Sequence, residues 1–302
     1  MLMVANLNDS LSNLTQLQEQ AATGKTINQP SDNPGGTSQV LALNAQLGRF
    51  NQYSSNISDG QSWLDTASST IGSVITALDQ VQSAVEDGAS ASSNDSTSDQ
   101  ALSDQVTAIK QQLLSLSATT YNGQYIFSGT YGTAPYPQGE ASGVSDPSSS
   151  SYDAATAYAY AGSSTAVTRM ISPGQSQAVS LTGNQVFGSG SSSVFALLDT
   201  ISQDLANGNT SNLSGSDLTE LQNYISSATQ AQGDAGALGA ALTSASDQVS
   251  NTVTSLTDQV ANIQDANEAS VASELDLAET SYQAALETTA QIIQPSLVQF
   301  LS

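Results

Sequence analysis

Cysteine and histidine are both absent from the 302 residues of the chain, and basic residues are rare. Without cysteine, disulfides and thiolate metal sites cannot form; without histidine, imidazole catalysis and ligation are excluded. Four lysines and arginines stand against 27 aspartates and glutamates, so the formal net charge is −23. Because phosphate groups and anionic lipids are bound by several basic side chains, the sequence predicts neither a nucleic-acid partner nor a membrane partner.

Long apolar runs and aromatic residues are also scarce. No window of about 18 apolar residues is present, which argues against a transmembrane helix. The first residues lack the basic and apolar regions of a secretory signal, so we expect no cleaved signal peptide. Only 5% of the residues are aromatic. Core volume must therefore come from Leu, Val, Ile and Ala, which suits helices packed in thin layers.

Apolar residues recur at alternating spacings of three and four along both halves of the chain. This spacing is typical of helices that pair in coiled coils. The first stripe predicts a helix that ends at Gly24, and a second helical run begins near Thr37. The other predicted apolar stripes are 40–57, 64–85, 102–116, 194–205, 218–228, 249–263 and 271–293, after which Pro295 should break or kink the helix.

A different composition, rich in Gly, Ser, Pro and Tyr, separates the two helical halves. Asn122-Gly123 is a turn dipeptide followed by aromatic and β-branched residues, and short strands are predicted at 158–160, 167–171 and 177–181. We therefore predict a mainly α fold with a small inserted β domain, in which the N- and C-terminal segments form a long coiled-coil and helical rod.

Five segments follow from this pattern. An N-terminal coiled-coil segment, 1–30, is predicted to pair with a C-terminal one, 265–302. Residues 31–129 and 193–264 would form the two parts of a helical rod domain, and 130–192 the inserted β domain.

A turn segment, which we call the elbow, occupies residues 28–36 and contains Pro30, Ser31, Asp32, Pro34 and Gly35. Two prolines and two glycines within seven residues predict neither helix nor central strand. Ser31 or Asp32 is the expected N-cap of the following helix.

No pattern indicates catalysis, a metal or a cofactor. Lys110 could in principle activate a serine, but its position off the apolar stripe predicts a solvated surface lysine. Acidic pairs and the Asp95–Asp104 stretch are interpreted as solvated faces and helix caps, since the spacing does not fit an EF-hand. The sequence therefore favours a protein that is not an enzyme.

Four stretches resemble the flagellin superfamily, in particular its hook-associated protein 3 branch. They are TGKTINQPSDNP at 23–34, YNGQYIFSG at 121–129, the segments 171–174 and 183–188, and the closing segment 282–301. Thr26 and Gln124 depart from the arginines that are usual in the family. The resemblance implies paired terminal helices, a helical rod and a projecting β domain.

It also implies a structural subunit of the bacterial flagellum that joins hook to filament as a helical ring. The implied partners are other copies of the chain, the hook-side junction protein (hook-associated protein 1), flagellin, and an export chaperone at the C-terminal helix. The implied location is extracellular, on the flagellum, after type III export without a cleaved signal.

The apolar stripes could form either core or interface. We expect intramolecular core for 64–85 and 249–263. We expect intersubunit contact for the terminal stripes, because the ends have the least chain around them and exposed stripes of this size mark interaction surfaces. The predicted assembly residues are Leu7, Leu11, Leu14, Leu17, Leu286, Ile293, Leu297, Phe300 and Leu301. Two alternatives remain open: a flagellin filament subunit, and an acidic secreted adhesin or carbohydrate-binding protein that uses Tyr131, Tyr136, Tyr152, Tyr158 and Tyr160.

Overall fold

The computed structural model describes residues 2–90, 96–137 and 152–300, with side chains described from 5 to 289 within these ranges. Long helices dominate, which confirms the mainly α fold with small β elements. The helices are α1 Leu2–Thr23, α2 Pro34–Ser90, α3 Ser96–Ser117, α4 Ala154–Ala157, α5 Gly183–Phe187, α6 Val194–Ala206, α7 Thr210–Asn212, α8 Leu218–Gln264 and α9 Glu268–Phe300. The strands are β1 Thr120–Tyr121, β2 Gln124–Tyr125, β3 Thr168–Ser172 and β4 Gln175–Ala178.

The chain divides into two compact units. The first consists of residues 1–51 and 250–302, and the second of residues 52–249. Helices α2 and α8 each contribute residues to both units. The first unit is built on the packing of α1 along α9, and the second on the packing of α3 against α6.

The apolar stripe of α2 lies in the core of the second unit, as its spacing predicts. The Gln232 side chain on α8 donates to the Ser68 carbonyl oxygen of α2 at 3.4 Å, so these helices lie side by side. The stripe residues are each no more than 2% exposed: Leu64, Ala67, Ile71, Val74, Leu78, Val81 and Val85. Burying a leucine or valine side chain stabilises a fold by about 1.5–3 kcal/mol.

Two antiparallel hairpins make up the described β structure. Strands β1 and β2 are joined by Asn122 and Gly123, whose φ angles of +48° and +77° fit a type I′ turn. Strands β3 and β4 pair with an irregularity between Met170 and Ser172, and Val179 N extends the pairing by donating to Val167 O at 2.8 Å.

The predicted strand at 158–160 is wrong. Tyr158 ends helix α4, which Asp153 caps by accepting from Ala155 N. Beyond it, Tyr160 N donates to the Ser189 hydroxyl group at 3.0 Å, so this backbone bonds to a loop instead of a partner strand.

Several helices are longer than their patterns predict. Helix α2 begins at Pro34, continues through Gly60 and extends to Ser90, beyond the predicted stripe that ends at 85. Helix α8 is continuous across its glycines, and α9 continues through Pro295 to Phe300. Packed neighbours outweigh the low helix propensity of glycine, which costs only about 1 kcal/mol per residue.

Candidate functional site: the paired terminal helices

The two terminal helices are joined at one end by backbone hydrogen bonds. Gly24 adopts a φ of +69° and closes α1 by donating to Gln20 O at 2.9 Å. Thr26 N donates to Gln264 O at 2.7 Å, and Ala266 N donates to Gly24 O at 2.8 Å. Because the end of α1 lies beside the start of α9, the two helices run antiparallel.

Apolar residues on facing sides of the two helices form their contact. On α1, Leu17 is buried and Leu7 and Leu14 are half-buried. On α9, Val271 is buried, and the half-buried residues continue its spacing of four and three: Leu275, Ala278, Tyr282 and Ala285. Ala285 thus lies in the contact, whereas its neighbour Leu286 does not.

Two predicted assembly residues project away from this contact. Leu11 is 44% exposed and Leu286 is 43% exposed. The side chains of Ile293, Leu297 and Phe300, and all of Leu301, lie outside the described residues. Contact of these residues, and of Leu7, Leu14 and Leu17, with other copies stays a prediction.

The elbow between α1 and α2 is held by an aspartate. One carboxylate oxygen of Asp32, Oδ2, accepts from Asn28 N at 2.9 Å and from Gln29 N at 2.8 Å. Pro30 and Ser31 lie exposed at the tip of this turn. Asp32 therefore stabilises the turn itself and does not cap the next helix.

The N-cap of α2 is Asn33, not Ser31 or Asp32. Its Oδ1 accepts from Gly36 N at 2.9 Å, and Pro34 and Gly35 lie in the first helical turn. An asparagine followed by proline is a recognisable helix start, because asparagine caps well and proline lacks the N–H that a first helical residue leaves unpaired. The Asn-Pro pair was the signal that could have found this boundary.

Lys110 in the second unit is not the solvated lysine that its position predicts. It is 9% exposed, and its Nζ lies 2.5 Å from Asp199 Oδ1 on α6. The hydroxyl groups of Tyr152 and Tyr158 donate to the other oxygen, Oδ2, at 2.8 and 2.7 Å. Helix α6 covers a face of α3 that the apolar stripe leaves polar, so a buried polar network replaces the expected solvent contact.

A second buried acid lies where α6 leads into α8. Asp217 is 4% exposed, and its Oδ2 has no hydrogen-bond partner among the described residues. Burial raises the pKa of Asp217 to about 6, and the nearby charges of Asp204 and Glu220 add to the increase. The Ser216 hydroxyl group, which donates to Asp217 Oδ1 at 3.1 Å, acts in the opposite direction.

The tyrosines considered for sugar binding do not form an exposed platform. Tyr136 is fully buried beside Phe195, with ring centroids 5.0 Å apart, and Tyr158 is 3% exposed. Burial raises the pKa of both hydroxyl groups. Tyr160 donates to Phe127 O at 2.8 Å, whereas Tyr131 is 58% exposed. Most of these rings therefore serve the core.

The described residues contain no group of three or more acidic side chains placed to hold a metal ion. Across the same residues, none of the helices combines the length and the apolar character needed to cross a bilayer. The arrangement at the terminal helices offers exposed apolar surface and amide groups, which suit contact with other helices.

Comparison with known proteins gives a family match at each end of the chain. The family model of the bacterial flagellin N-terminal helical region matches residues 1–132, and that of the C-terminal helical region matches residues 218–301. Flagellar hook-associated protein 3 of Salmonella typhimurium is 27% identical over 188 residues, covering 62% of this chain and 54% of that protein. Polar flagellin F of Vibrio parahaemolyticus is 27% identical over 139 residues, 46% of this chain and 37% of that protein.

The chain thus spans about half the length of the Salmonella relative. Among solved structures, flagellar hook associated protein-3 from Legionella pneumophila is similar with a TM-score of 0.63 and 13% identity, covering 74% of this chain and 98% of that one. At this identity the likeness concerns the fold. Since the two flagellin family models together match well over half of the sequence, the chain belongs to the flagellin family.

Proposed function

We propose that the chain is a structural, non-enzymatic subunit of the bacterial flagellum that joins the hook to the filament. The observation that carries the proposal is the antiparallel pairing of α1 with α9, the two segments that lie at opposite ends of the sequence. This pairing leaves Leu11 and Leu286 exposed, which suits contact with further helices. The similarity to hook-associated protein 3 supports the same assignment.

In this proposal the copies form a helical ring. Their terminal helices stack into a concentric coiled-coil layer, with Leu7, Leu11, Leu14 and Leu17 from the start of the chain and residues 286–301 from its end. Each square ångström of apolar surface removed from water stabilises the contact by about 25 cal/mol. The elbow at Pro30 to Gly35 would link the coil segment to the rod segment that follows it in the sequence.

The ring would contact three kinds of partner in the finished flagellum. These are further copies of the chain, the hook-side junction protein (hook-associated protein 1) and flagellin. Before assembly, an export chaperone would cover the apolar C-terminal helix. The chain would reach its extracellular position through the type III export apparatus. The predicted segments 1–30, 31–129, 130–192, 193–264 and 265–302 would serve as coil, rod, projecting domain, rod and coil.

A flagellin filament subunit is the second candidate, favoured by the similarity to polar flagellin F. Immunogold labelling of isolated flagella separates the two functions. A junction subunit gives label at a single point between hook and filament. Label along the whole filament would replace the junction proposal with the flagellin one.

A further inference from the structure

Two leucine side chains in the first unit are mostly exposed to solvent. Leu41 on α2 is 65% exposed, and Leu277 on α9 is 67% exposed. Helix α2 buries Leu64 and Leu78, and α9 half-buries Leu275, so the exposure of Leu41 and Leu277 marks faces that lack a partner within the copy. Contiguous exposed apolar surface is typical of interaction sites when polar or charged residues surround it.

The Leu41 face of α2 consists of Leu41, Ala45, Gly48 and Arg49, all exposed. Leu41, Ala45 and Gly48 follow the helical spacing of four and three, which aligns them on one side of the helix. A Cβ atom added at Gly48 would meet nothing within 4 Å, so this part of the face is open to an approaching helix.

Arg49 gives this face a positive charge in a strongly acidic chain. Among the described residues, ion pairs are formed by Lys110 with Asp199 and by Arg169 with Asp59, and neither involves Arg49. With a formal net charge of −23, most surfaces of two approaching copies repel each other. Arg49 therefore attracts an acidic surface of an approaching copy.

The Leu277 face of α9 has the complementary character. Glu274, Leu277, Ser281 and Ala284 are exposed and follow spacings of three, four and three along one side of the helix. An exposed leucine thus lies beside a carboxylate, as Leu41 lies near a guanidinium group. Apolar centres and opposite charges on the two faces fit contact between one helix and the other.

We propose that the Leu41 face of one copy binds the Leu277 face of a second copy. Because the two faces differ, the contact is heterologous, and it repeats from copy to copy into a ring or a helix. This inference rests on the proposed function, since a helical junction needs such a repeating contact. The contacting surfaces lie on α2 and α9, and Arg49 favours the acidic partner face.

Disulfide trapping tests the contact cleanly because the chain contains no cysteine of its own. Purified full-length Leu41→Cys and Leu277→Cys variants are oxidised separately and as a mixture. We expect a cross-linked dimer in the mixture, with a yield several-fold above that of either variant alone. The matched control pairs Leu41→Cys with Gln283→Cys, an exposed position on another side of α9. Equal yields in the mixture, the control and the single variants would overturn the proposal.

The charge is tested in the same assay. Arg49→Glu in the Leu41→Cys chain should lower the mixed yield several-fold, whereas Arg49→Lys should keep most of it. An unchanged yield with Arg49→Glu would remove Arg49 from the contact. The contact and the proposed function can be refuted independently. If the dimer is trapped but immunogold labels the whole filament, the contact is supported and the junction function is refuted.

Discussion

Replacing Asp199 with asparagine should destabilise the second unit more than any other single charge removal considered for this chain. The Asp199 side chain is 3% exposed and accepts from Lys110, Tyr152 and Tyr158. Asp199→Asn leaves the ammonium group of Lys110 buried without a carboxylate. Breaking a buried ion pair in this way costs about 3–5 kcal/mol, because the remaining charge is uncompensated.

The opposite substitution should cost less. Lys110→Met keeps the volume of the side chain and leaves Asp199 with both tyrosine donors, so we expect a loss of about 1.5–3 kcal/mol. The matched control is Asp59→Asn, which breaks the partly exposed pair with Arg169 in the same unit. Such a surface pair is worth about 1 kcal/mol or less.

Urea unfolding followed by tryptophan fluorescence measures all three variants. Trp63 is the only tryptophan of the chain, is 1% exposed and belongs to the second unit, so its emission reports on that unit. The expected order of destabilisation is Asp199→Asn, then Lys110→Met, then Asp59→Asn. Equal losses for Asp199→Asn and Asp59→Asn would refute the reasoning that the Lys110 network is buried and interdependent.

Three further predictions concern pH, packing and salt. The pKa of Asp217 is raised from 3.8 to about 6, so its carboxyl group contributes stability below pH 4 that is lost as the pH rises through 6. The substitution Asp217→Asn should therefore reduce the fall in the urea unfolding midpoint between pH 4 and pH 7.5. An unchanged fall would contradict the assignment of this pH dependence to Asp217. A methyl group at Gly36 would lie 2.7 Å from Ile27 Cδ1, whereas at Gly35 the nearest atom is 3.6 Å away. Gly36→Ala should therefore lower the free energy of unfolding by about 1–3 kcal/mol, and Gly35→Ala should be neutral or stabilising. Thermal unfolding followed by circular dichroism measures both variants. Copies that each carry a net charge of −23 should assemble more readily as salt screens their repulsion, and sedimentation showing weaker assembly in moderate salt would exclude this balance.

Periodicity predicted the long apolar stripes well, because helical spacing alone decides which side chains share a face. The stripe from Leu64 to Val85 is buried as expected, and Gly24 ends α1 at the predicted residue. The predicted stripe at 271–293 likewise includes the α9 residues that contact α1, from Val271 to Ala285. In each of these cases the types and spacing of neighbouring residues were sufficient to predict the structure.

Features that depend on distant packing were not predictable from spacing. Lys110 lies off the apolar stripe of α3, and only the position of α6 explains its burial. The strand expected at Tyr158 has suitable residue types, but the Ser189 loop takes the backbone bond of Tyr160 that a partner strand would need. The exposure of Leu41 and Leu277 likewise follows from which faces the neighbouring helices leave open.

Whether this chain joins hook to filament can be decided by deleting its gene in the organism of origin and examining the cells by electron microscopy. We expect hooks that carry no filaments, with flagellin released into the medium. Intact filaments of normal length on the deletion strain would contradict this function.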